Sequence, residues 1–188
     1  MKRFGYRLLL LPLSLLAGAA AASENPGAHQ HGHAELSFAV DGNKVEVMFV
    51  SPAYNVLGFE HEVRTKAQTR ALQQANDWFA GTPLIDTPDG TCTVISSEVH
   101  HSGPEQEQEQ EQHHEGNEHE HEDHGSGHSA FEVIQTLTCP GVQNATTLIT
   151  PLTTRLERLE HLDVQWAGAM AQGATRLEHS EQAVELGQ

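Results

Sequence analysis

The histidines of this chain come in groups, and each group stands among carboxylates. The longest run is HHEGNEHEHEDHGSGH, residues 113–128. Neutral imidazole binds zinc, copper and nickel, and carboxylates add charge and hard oxygen ligands. Candidate ligands are His100, His101, His113, His114, His119, His121, His124 and His128, eight of the chain's 14 histidines within residues 100–128. Glu105 to Gln112 alternates Glu with Gln, and histidines then take the glutamine places. The segment has no Lys or Arg and too little apolar surface to fold alone, so it is expected to be a disordered insert. Flexible side chains can converge on one ion, at the cost of ordering the loop. Each such site should be modest in affinity, quick to exchange and poorly selective. The expected ion is Zn2+, with other divalent transition metals open. The plainer reading is a solvated acidic linker. A block so rich in histidine and free of basic residues argues against it.

A second group is His29-Gln-His31-Gly-His33. On an extended chain these three side chains share one face in steps of about 7 Å. A bend at Gly32 would let them share an ion, and His33 should stand on the start of a strand. The alternative is a loose histidine-rich leader. Glu60-His61-Glu62 sets His61 between two carboxylates, which makes it a further candidate, although such a histidine is more often an ordinary surface or core group. His161 and His179 stand alone and read as structural. Met48 and Met170 are too few for a copper(I) thioether carrier.

The elements that must position these groups can be read around them. Met1 to Ala22 has a basic start, a short apolar run and small residues at its end, as a cleaved secretory signal does. The apolar run is shorter than the roughly 20 residues needed to span a bilayer. Removing residues 1–22 takes Lys2, Arg3 and Arg7 from the 10 basic residues and none of the 26 acidic ones, which leaves a formal charge of −19. Such a chain repels nucleic acid and anionic lipid and attracts cations. The remainder, residues 23–188, fits one domain. No membrane insertion is expected after cleavage.

Residues 34–40 alternate as a half-buried strand. Asp41-Gly42-Asn43 is a hairpin turn signal, and Val45, Val47 and Phe49 share a face on the returning strand. Tyr54 to His61 is a loop or short helical turn. Residues 65–79 switch to helical spacing, with Thr65 as N-cap. Residues 91–99 and 131–138 are strand-like, and residues 100–128 would be the tip of the hairpin they form. Thr150-Pro151 opens a second helix, with Leu152, Leu156 and Leu159 as its stripe. Leu162 to Trp166 alternates as a strand, and one edge strand is expected near Val184. The fold class is α+β: a small single domain of antiparallel hairpins plus two helices.

Cys92 and Cys139 are the only cysteines. In an exported chain an even pair suggests a disulfide. Two buried thiols or two zinc thiolates are the alternatives. Antiparallel pairing of the two strands would bring the cysteines together. There is no HExxH, GxSxG, P-loop or GxGxxG, so an enzyme is not expected.

His31-Gly-His33-Ala-Glu35-Leu, Ser51-Pro52-Ala53 and Gly58-Phe59-Glu60-His61, followed by Cys92, Phe131 to Cys139 and Leu162-Asp-Val-Gln, resemble the ZrgA-like family of exported bacterial proteins. The likeness runs over about residues 29–170. It implies a periplasmic protein that binds zinc through a histidine-rich region, here 100–128. It also implies cooperation with a zinc ABC importer, or with that importer's solute-binding protein, when zinc is scarce. The shared motif positions are His31, His33, Glu35, Glu60 and His61. Tyr54 and Val56-Leu57 depart from the smaller residues expected there. The expected function is therefore a periplasmic zinc-binding accessory protein that supports uptake. The competing readings are a periplasmic buffer or detoxification protein for nickel, copper or zinc, a zinc enzyme, and a metal-free envelope adaptor. The importer's own binding protein needs two lobes around a cleft, which this length does not supply.

Overall fold

A computed structural model describes residues 30–102, 129–169 and 171–187. Within them the chain is mostly strand. β1 (His33–Asp41) and β2 (Lys44–Pro52) form the expected hairpin, with Asp41 opposite Lys44. Gly42 occupies the first turn position at φ +59°, which only glycine adopts without strain.

α1 (Ala53–Leu57) is a single short turn and α2 (Lys66–Gly81) the one long helix. Thr65 caps α2 as expected. Its hydroxyl accepts from Gln68 N, and the Gln68 side chain accepts from Thr65 N, so two otherwise orphaned amides are satisfied. β3 (Thr93–Ser102) and β4 (Ala130–Thr138) pair antiparallel, with Thr93 opposite Thr138 and Ser102 opposite Ala130. Cys92 and Cys139 therefore adjoin and form a disulfide. A zinc-thiolate role for them is excluded. After a 3-10 turn come β5 (Thr147–Ile149), α3 (Leu152–Arg155), β6 (His161–Gly168), β7 (Gln172–Glu178) and β8 (Ala183–Glu185).

Six strands make one sheet in the order β3-β4-β2-β1-β6-β7, and β5 pairs with β8 in a small second sheet. One face of the large sheet buries Leu36, Phe38, Val45, Val47, Phe49, Phe131, Val133, Leu137, Leu162 and Val164. Phe79 of α2 packs between Phe49 and Phe131, with ring centroids 5.7 Å from each. Leu84, Ile85, Leu148, Leu152 and Leu159 complete the core. Gln135 is fully buried among them. Its Nε2 donates to the carbonyls of Phe79 and Thr82, and its Oε1 accepts from Leu84 N. A buried amide with every polar atom paired fixes the end of α2 over the sheet.

Three expectations fail here. The helix opened by Thr150-Pro151 is one turn long, and Pro151 stands at its N-cap rather than at its first helical position. Leu152, Leu156 and Leu159 are all buried, but the chain leaves the helix at Leu156 because residues 160 and 161 must bond the Gly32 carbonyl beside β1. The sheet is also mixed rather than built of antiparallel hairpins alone, because β1 and β6 run parallel. The edge strand near Val184 is present as β8, whereas β5 and β7 had no sequence signal. The expected insert at 100–128 begins later: β3 continues through Ser102. The disorder expected for the histidine-rich stretch falls on residues 103–128, outside the described residues.

The disulfide closes a 47-residue separation, so its removal frees a large loop in the unfolded chain. Replacing both cysteines by serine should cost about 2–5 kcal/mol. Urea unfolding of metal-free protein, compared with the wild type kept oxidised, measures it.

Candidate metal site

The site is built on a turn that is held from two sides. Asn55, carried by α1, is 1% exposed. Its Oδ1 accepts from Gly32 N at 2.8 Å, and its Nδ2 donates to the His33 carbonyl at 2.8 Å and to Ser51 Oγ at 3.1 Å. From the other side, the Gly32 carbonyl accepts from Glu160 N and His161 N. Gly32 itself sits at φ +82°, with the Glu160 carboxylate packed where a side chain would go. His31 and His33 flank this pinned glycine.

His31 is half exposed and turns toward α1. Its ring stacks on Tyr54 at 4.2 Å, and its Nε2 lies 3.1 Å from Glu60 Oε1. The Arg158 guanidinium lies 5.8 Å from the Tyr54 ring. The Glu60 carbonyl accepts from Ser129 Oγ, and the Ser129 carbonyl accepts from Ala53 N. Ser129 directly follows the histidine-rich segment. At the segment's other end, Ser102 Oγ bonds the backbone of Ala130. The segment is thus rooted beside Glu60.

On the face of the sheet away from the core, His33 lies opposite His161, and His161 opposite Glu178. The His33 and His161 ring centroids are 4.7 Å apart. His161 Nδ1 meets Glu178 Oε2 at 2.8 Å. One row along, Glu35 lies opposite Asp163 and Asp163 opposite Arg176. Arg176 Nε and Nη2 grip both Asp163 oxygens at 2.7 and 2.8 Å. The hydrogen bond from Arg176 holds the Asp163 carboxyl below its usual range, against the opposing effect of burial. The same pair raises the guanidinium.

The remaining candidates are scattered. His61 is exposed, donates from Nδ1 to the Glu62 carbonyl and stacks on Phe59. His100 is exposed, with Nε2 3.8 Å from Glu98. His101 points to the opposite face and packs on Phe131 at 4.8 Å, so neighbouring positions on one strand do not share an ion. Burial pushes the His101 imidazole below its ordinary value, and its Nε2 has no hydrogen-bond partner. His179 donates to the Leu159 carbonyl and is structural. His29, His113, His114, His119, His121, His124 and His128 lie outside the described residues. Among the described residues no three His, Cys, Asp or Glu side chains enclose one point; His31 faces Glu60, His33 faces His161 and His61 packs on Phe59.

Asn55 and Glu178 carried no sequence signal, and His161 read as structural. A buried asparagine looks like any loop polar residue in sequence. Glu178 meets His161, and His161 meets His33, through strand register alone.

Residues 28–186 match the family model described as ZrgA family zinc uptake protein. No curated protein matches the chain.

Asn55→Ala should leave Gly32 N–H and the His33 carbonyl without their side-chain partner. Each backbone group so stranded costs about 1–3 kcal/mol, which urea unfolding of the metal-free protein would report. His101 predicts a pH effect. Its folded-state pKa is depressed from 6.5, so below that value the unfolded chain binds the proton more readily. Stability of metal-free protein should decline as pH falls through this range, and His101→Gln should flatten the decline relative to the wild type in thermal melts.

Proposed function

The chain belongs to the ZrgA family of zinc uptake proteins, and on that premise we propose that it works in the periplasm as a zinc-binding accessory protein. In this reading the signal at residues 1–22 exports it. The histidine-rich segment captures zinc and holds it for an ABC importer or the importer's solute-binding protein. Zinc is cargo, and the protein performs no catalysis on it.

One observation carries the reading. Both ends of the histidine-rich segment, at Ser102 and Ser129, are tied into the end of the sheet that bears Glu60, His31 and His33. A segment dense in imidazole and carboxylate therefore starts and ends beside rigid imidazoles. The net negative charge raises the local concentration of divalent cations. Loop ligands that must be ordered for each binding event release quickly, which suits transfer more than storage. Imidazole and carboxylate together favour zinc, copper and nickel over calcium or magnesium. Coordination needs neutral imidazole, so acid competes with the metal.

Zinc titration of residues 23–188 against a competing chelator, with and without residues 103–128, tests capture. Deletion should remove most of the bound zinc. No zinc bound at micromolar concentration would overturn the proposal. A strain lacking the gene should grow poorly when zinc is chelated and normally when it is replete. Impaired growth only under excess zinc, nickel or copper would instead support the buffering reading.

A further inference from the structure

The proposed capture leaves open where an ion rests on the folded part. His33 and His161 are placed for it. They project from adjacent parallel strands, in register, on the face of the sheet opposite the core. Two imidazole nitrogens on one tetrahedral zinc lie about 3.4 Å apart, given Zn–N bonds of about 2.1 Å. Rings with centroids 4.7 Å apart reach that separation when their nitrogen edges turn inward.

The second ring is also prepared chemically. Glu178 Oε2 sits 2.8 Å from His161 Nδ1. The two atoms are within reach but not aligned as a hydrogen bond. A small turn of the imidazole would let the carboxylate accept from Nδ1 and leave the Nε2 lone pair for a metal. Such a bond would hold the ring's orientation. The backbones are anchored: Asn55 donates to the His33 carbonyl, and His161 N donates to the Gly32 carbonyl. Little ordering is left for binding to impose. The carboxylate of Asp163, one row along, has both oxygens engaged by Arg176. It lends partial negative charge to the neighbourhood without being aimed at the ion. The His161 side chain is 30% exposed, so an ion can arrive from solvent.

We infer that His33 Nε2 or Nδ1 and His161 Nε2 form a two-nitrogen site for a borderline cation of the zinc type, with Glu178 as the positioning residue for His161. Binding forms two metal–nitrogen bonds and displaces two waters from the hydrated ion. The other coordination positions stay with water or with ligands of an incoming carrier. An ion held by two fixed ligands is reachable and exchangeable. A closed four-ligand cage would retain it. The His31–Glu60 pair is separate, since His31 Nε2 faces a carboxylate rather than a second imidazole. This deepens the capture reading and rests on it only for the identity of the ion.

Nuclear magnetic resonance of the 15N-labelled chain 23–188, titrated with zinc, resolves the site from the histidine-rich segment. The expected result is a joint shift of the His33 and His161 imidazole nitrogens, separate from the shifts of histidines in 103–128. His161→Ala should abolish the shift at His33. Glu178→Gln should weaken the joint shift about 10- to 100-fold while amides elsewhere keep their positions. If His161→Ala does not fold, the wild-type titration and Glu178→Gln decide. Shifts confined to the histidine-rich segment, or to His31, would overturn the site and leave zinc capture standing. No shift at any histidine would overturn both.

Discussion

The side-chain amide of Asn55 is the constraint on which the histidine-bearing end depends. It reaches across 23 residues to Gly32 and satisfies that residue's N–H while bonding the His33 carbonyl. A glycine at positive φ offers little resistance to bending, so the turn needs an outside clamp. Asn55 supplies it from α1, and the residues that begin β6 supply it from the other side. The amide is nearly fully buried, in low dielectric, where a satisfied hydrogen bond is strong and a lost one costly. Where β1 starts, and so which way His31 and His33 point, follows from this contact.

The rest of the domain supports that end as a platform. One face of the large sheet is spent on the core, with Phe49, Phe79 and Phe131 at its centre. Gln135 ties α2 over the sheet, and the disulfide ties the foot of β3 to β4 at the end away from the histidines. Helix and disulfide therefore leave the opposite face open. Strand alternation then sorts the residues: Ala34, Leu36 and Leu162 go inward, while His33, Glu35, His161 and Asp163 go outward. Placing polar rows on one face costs no buried charge. Arg176 neutralises Asp163 locally, so the outward face carries paired charges beside its imidazoles.

The histidine-rich segment and the sheet bring different properties to one end of the molecule. The segment is dense in imidazole and carboxylate and strongly negative, both matters of composition. The sheet sets a few imidazoles and carboxylates at fixed separations, which is a matter of register. Ser102 and Ser129, which flank the segment, are hydrogen-bonded at the end of the sheet that bears His31 and His33.

Local pattern determined much of this protein. Alternation gave β1, β2, β4 and β6, helical spacing after the Thr65 N-cap gave α2, and a glycine turn gave the hairpin. The strand pair flanking Cys92 and Cys139 gave the bridge, and composition alone marked the histidine-rich stretch and its negative charge. These features depend on neighbours within a few residues. Leucines at three- and four-residue spacing misled at Leu152, Leu156 and Leu159, because burial rewards that spacing in an irregular chain as well as in a helix. What only the tertiary structure decided is the pairing of β1 with β6. That pairing joins residues 128 positions apart, such as His33 and His161, and no periodicity names a strand's partner. It sets the two imidazoles side by side and puts Glu178 behind one of them. Parallel register, a property of neither strand by itself, makes that assembly.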